Sequence, residues 1–64
     1  MSITEARRLV GRRIALTWTD RTGQEYHRTG VLETTKFVPM YGAYLVVAGS
    51  EVSMEKVKGV EALD

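Results

Sequence analysis

The sequence predicts an all-β protein: a small five-stranded barrel with a short N-terminal helix and a one-turn helix before the last strand, residues 1–64 forming a single domain. Three observations carry this. Short segments rich in β-branched and aromatic residues alternate apolar with polar positions, the period of a strand. Gly, Asp and Pro punctuate them at hairpin spacing. Only two stretches, one at each end, carry helical signals.

Each element follows in order. Ser2-Ile3-Thr4-Glu5 has the form of a capping box, a hydroxyl residue followed three positions later by Glu, with Thr4 as a competing cap. Ile3, Ala6, Leu9 and Val10 then keep helical spacing, and Gly11 suits the left-handed position that ends a helix. This predicts two helical turns. Ile14, Leu16 and Trp18 alternate with Arg13, Ala15, Thr17 and Thr19 as a first strand. Asp20-Arg21-Thr22-Gly23 is a three-residue hairpin turn, Asp opening it and Gly taking the left-handed position.

The second strand runs from near Gln24 towards Thr35, with Gly30 marking a bend and Val31 and Leu32 as core candidates. Thr34 to Val38 reads as a third strand, and Pro39-Met40-Tyr41-Gly42 as a turn. Ala43 to Ala48 is apolar on both faces and reads as a central strand, broken by Gly49-Ser50. Ser53 can cap a helical turn through Lys56. Val57, then Val60, Ala62 or Leu63, return to the core as a last strand.

In this order, the helix leads into Gly11-Arg12-Arg13-Ile14-Ala15-Leu16. Gly30-Val31-Leu32 follows on a bent second strand, and a helical turn precedes Val57-Lys58-Gly59-Val60. The arrangement resembles the Sm-like branch of the SH3-like small β-barrels. That resemblance implies ring assembly and RNA binding. Sm-like proteins dock bases on an Asp and a Met-Asn pair after the bent strand. Here that stretch is Glu33-Thr34-Thr35-Lys36-Phe37, without such a pair. The resemblance therefore carries architecture and no binding residue, and SH3-like and Tudor-like barrels share the element order.

Composition narrows the function. The chain has no cysteine and one histidine, which excludes disulfides, thiolate metal sites and His-rich metal sites. No Gly-rich phosphate loop or nucleophile motif is present, so no cofactor and no enzymatic activity are expected. No apolar run is long enough to span a bilayer. The first residues form no secretory leader, so a cytoplasmic protein with no membrane partner is expected.

Net charge is +1, but the halves differ. Residues 1–32 hold Arg7, Arg8, Arg12, Arg13, Arg21 and Arg28 against Glu5, Asp20 and Glu25. Residues 33–64 hold Lys36, Lys56 and Lys58 against Glu33, Glu51, Glu55, Glu61 and Asp64. An arginine-only basic half points to an anionic partner, because the guanidinium fork matches phosphate. Arg8, Arg13, Arg21 and Arg28 are the candidates for convergence near the first hairpin; the alternative is solvated surface charge.

If Asp20 pairs with Gln24, then Trp18 lies opposite Tyr26 and Leu16 opposite Arg28. Trp18, Tyr26 and Arg28 then share a face. The trio is either a platform on which bases stack or a structural lid over one end of the barrel. The Pro39–Gly42 loop puts Met40 and Tyr41 at a tip, as a contact surface or folded back over the core. His27 shares a strand face with Glu25 and reads as a surface histidine. Unclosed strand edges would favour homo-oligomers.

The expected function is non-enzymatic nucleic-acid binding, to RNA or DNA, through the arginine-rich half. The alternative is a protein-interaction adaptor, phage- or plasmid-encoded, acting through a strand edge or the Pro39–Gly42 loop. A third class is an enzyme subunit active only as an oligomer.

Overall fold

A computed structural model describes residues 2–64. The chain opens with the capping box: the Ser2 hydroxyl accepts from the Glu5 N–H at 3.2 Å, and the Glu5 carboxylate accepts from the Ser2 N–H at 3.2 Å. Helix α1 spans Ile3–Arg7, shorter than the two turns predicted. Beyond it the N–H groups of Arg8, Leu9 and Val10 bond three residues back, to Glu5, Ala6 and Arg7, so the coil tightens before Gly11 ends it at φ +91°. Ala6 is buried and Leu9 packs against the core. A helix this short depends on that packing for its stability.

Five strands follow: β1 (Arg13–Thr19), β2 (Glu25–Val38), β3 (Gly42–Val47), β4 (Ser50–Ser53) and β5 (Val57–Ala62). They form one antiparallel sheet in the order β4-β3-β2-β1-β5. Strand β2 absorbs both the second and the third predicted strands. Its residues from Glu25 to Val31 pair with β1, and those from Leu32 to Val38 pair with β3. A register shift between Leu32 and Thr34 leaves Glu33 as the bulged residue. Its carboxylate accepts the Gly49 N–H at 2.8 Å. A bulge bends a strand without ending it, so the two predicted segments form one strand.

Gly30 eases a close approach to the β3–β4 turn. A Cβ at this position would stand 3.3 Å from the Ala48 Cβ and 3.5 Å from Val47 Cγ1.

The β3–β4 turn is Ala48-Gly49, both residues at positive φ, 50° and 79°. This matches the two-residue turn whose twist suits a hairpin. A single turn, η1 (Met54–Lys56), joins β4 to β5. The Ser53 side chain makes no capping bond there. Strands β4 and β5 stand at opposite ends of the hydrogen-bonded order, linked by η1 and not by a ladder.

The core is Ala6, Ile14, Leu16, Leu32, Leu45, Val47 and Val52, with Leu9, Trp18, Met54, Val57 and Val60 packed against it. Among the described residues it holds no buried polar or charged side chain. Strand alternation corrects one expectation: Val31, next to buried Leu32, points outward and is exposed. On the last strand Val57 and Val60 pack against the core as expected, and the alternatives Ala62 and Leu63 are exposed.

Candidate interaction site

The first hairpin adopts the predicted register. The Asp20 N–H bonds the Gln24 carbonyl at 3.0 Å and the Gly23 N–H bonds the Asp20 carbonyl at 3.1 Å, with Gly23 at φ +89°. The Asp20 carboxylate organises the turn. One oxygen accepts from the Thr22 N–H (2.8 Å), the Thr22 hydroxyl (2.6 Å) and the Gln24 N–H (3.1 Å). The other accepts from the Tyr26 hydroxyl at 2.9 Å. The Thr22 hydroxyl above all, with Tyr26 and the two N–H groups, holds the Asp20 carboxyl down at about 2. The same carboxylate pushes the Tyr26 hydroxyl above its ordinary value.

Trp18 pairs with Tyr26 and Leu16 with Arg28. The rings of Trp18 and Tyr26 stack on one another, centroids 5.6 Å apart and planes 21° apart. Trp18 is half-buried against the core, while Tyr26 and Arg28 are exposed. The Arg28 guanidinium reaches the Ala48 carbonyl at 3.5 Å, away from the ring pair. Each ring covers a face of the other, and a carboxylate sits on the Tyr26 hydroxyl.

The arginines do not form one patch. Arg13 faces outward with Ala15 and Thr17, on the face opposite to Leu16 and Arg28. Arg8 lies at the end of α1 and Arg21 in the hairpin turn. Arg12 is tied to Asp64, its Nε 3.0 Å from the carboxylate and its guanidinium also donating to the Asp64 carbonyl. This contact, with the Arg13 N–H, lowers the Asp64 carboxyl from its ordinary range. Among the described residues Arg7, Arg8, Arg13, Arg21 and Arg28 have no carboxylate at ion-pair distance.

The β2–β3 tip presents apolar groups. The Tyr41 N–H bonds the Val38 carbonyl at 3.0 Å, and Met40 sits at φ +75°. Phe37, Met40 and Tyr41 are 70%, 99% and 70% exposed. Met40 and Tyr41 do not fold back over the core.

Beside the tip lies a groove of about 360 Å³, open to solvent. The end of β1 contributes Trp18 and Thr19, the turn Asp20, and the tip Tyr41. Tyr44 of β3, Glu51, Val52 and Ser53 of β4, and Glu55 and Lys56 of η1 complete it. Three aromatic residues and three carboxylates therefore line one groove with a single lysine. Glu51 is engaged by Lys36 across the sheet. Of these, Tyr44, Glu51 and Glu55 escaped the sequence reading. The only local signal was the alternation of β3, which places Tyr44 opposite in facing to buried Leu45.

The outward face also aligns Thr17, His27 and Glu25. The Thr17 hydroxyl lies 3.1 Å from His27 Nδ1, and Glu25 lies 3.3 Å from Nε2. Thr17 stands directly opposite His27 in the register. None of the three lines the groove.

No family model, no curated protein and no solved structure matches this chain. None of the described helices is long and apolar enough to cross a membrane.

Proposed function

We propose that the chain is a non-enzymatic protein-interaction module that docks a partner on the tip of the β2–β3 hairpin. The observation that carries this is the exposure of Phe37, Met40 and Tyr41 together at one tip. Clustered exposed apolar groups mark contact surfaces more often than singly scattered ones. Met40 strengthens the reading. Its φ of +75° belongs to a turn position that normally takes glycine. A bulky residue there costs about 1–3 kcal/mol. The side chain gains no packing in return, being almost wholly in solvent. A strained residue held outward is accounted for by a contact made outside the molecule.

The test is a photo-activatable methionine analogue at position 40 in the native host. Cross-linking to one discrete protein, abolished by Phe37→Ser, supports the reading. Products of every size, unchanged by Phe37→Ser, refute it.

Nucleic-acid binding is the second reading, favoured by the five arginines without a carboxylate partner. Phosphate contacts make affinity fall steeply with salt. Binding to mixed-sequence RNA or DNA that weakens with salt, and weakens further in Arg21→Ala and Arg28→Ala, supports this reading. No binding at low salt removes it.

A further inference from the structure

We infer that the groove beside the tip receives a lysine or arginine side chain from an extended peptide segment of the docked partner. The inference rests on the adaptor reading and adds to it the chemistry that the partner must carry.

The groove is continuous with the tip, because Tyr41 belongs to both. At about 360 Å³ it lies at the small end of ligand pockets, a size suited to one side chain and its flanking backbone. Trp18, Tyr41 and Tyr44 supply the aromatic surfaces to which a cation is attracted.

The charges around the groove are Asp20, Glu51 and Glu55 against Lys56. Asp20 is fixed by four hydrogen bonds and Glu51 by Lys36, so both are held in place before any ligand arrives. Glu55 has no ion-pair partner among the described residues and is exposed at the mouth, on η1. It is the carboxylate left to meet an incoming cation. Carboxylates at the rim also repel phosphate, so any nucleic acid must bind elsewhere on the molecule.

Trp18 is the only tryptophan, so its fluorescence reports directly on this groove. The probes are short capped peptides identical except at one central position, occupied by arginine, lysine, norleucine or glutamate. The arginine and lysine peptides should bind about fivefold or more tighter than the norleucine peptide, and the glutamate peptide weakest. Glu55→Gln should reduce that preference measurably. Tyr41→Ala, a second exposed position, should weaken all the peptides. Circular dichroism checks that both variants remain folded.

Binding of the norleucine peptide as tight as that of the arginine peptide would overturn the inference and leave the adaptor reading standing. So would an arginine preference untouched by Glu55→Gln. No fluorescence change with any peptide overturns it as well, and if the Met40 cross-link also fails, the adaptor reading falls with it.

Discussion

Replacing Trp18 with alanine separates two roles that the first hairpin could have. If the ring is a platform for a ligand, its loss changes binding and leaves stability almost untouched. If it is a lid on the core, stability falls by a calculable amount. Deleting a fully buried tryptophan costs about 3–5 kcal/mol. Most of the Trp18 surface is covered against the core, so about two-thirds of that applies. The stacked pair with Tyr26, at 5.6 Å, adds about 0.5–1.5 kcal/mol. The sum is about 3–5 kcal/mol. A 64-residue domain at 0.05–0.15 kcal/mol per residue has a total of about 3–10 kcal/mol. At about 4–8 °C per kcal/mol, the melting temperature should drop by roughly 12–40 °C. Thermal melts followed by circular dichroism measure this directly. Tyr26→Ala, which loses the same stack and the hydrogen bond to Asp20 but packs less against the core, should cost less than Trp18→Ala, and the double variant then isolates the coupling. A Trp18→Ala melting temperature within a few degrees of the parent would refute the lid and restore the platform.

Two further outcomes follow from the hairpin turns. Asp20 is held at about 2 against an ordinary 3.8, so its contribution is present above about pH 4 and is lost as the pH falls through 3.8 towards 2. Urea midpoints at pH 7, 4 and 2 should show a smaller acid loss in Asp20→Asn than in the parent; parallel curves would refute the assignment. Met40→Gly relieves the positive φ but adds chain freedom, so stability should stay level or rise by up to about 2 kcal/mol. Partner capture should meanwhile fall. A clear loss of stability on thermal melting would mean that Met40 packs, contrary to its exposure.

The sequence made the first hairpin legible because its turn chemistry is local. Asp20 and Gly23 specify the turn, the turn specifies the register, and the register places Trp18 against Tyr26 and Leu16 against Arg28. The capping box at Ser2 and Glu5 was legible for the same reason. Three features were not. The bulge at Glu33 has no glycine to announce it, so one long strand looked like two. The β3–β4 turn places Ala48 where Asn or Gly is usual, which hid strand β4. The groove draws on β1, its turn, the β2–β3 tip, β3, β4 and η1, and no window of sequence contains more than part of it.

That non-local assembly changes what the charge asymmetry means. Read along the chain, the arginine-only half looks like the functional half and the acidic half like solvated surface. In three dimensions the arginines are spread over the helix end, a turn and both faces of the sheet, one of them consumed by Asp64. Three of the eight acidic residues, Asp20, Glu51 and Glu55, come from both halves and meet in one groove with three aromatic residues. Charge density at a site governs which ligand it selects, and charge along a sequence does not. The partner proposed for this groove is therefore cationic even though the chain carries a net positive charge. The two kinds of surface predict opposite responses to a basic peptide: attraction at the groove and repulsion at the arginines.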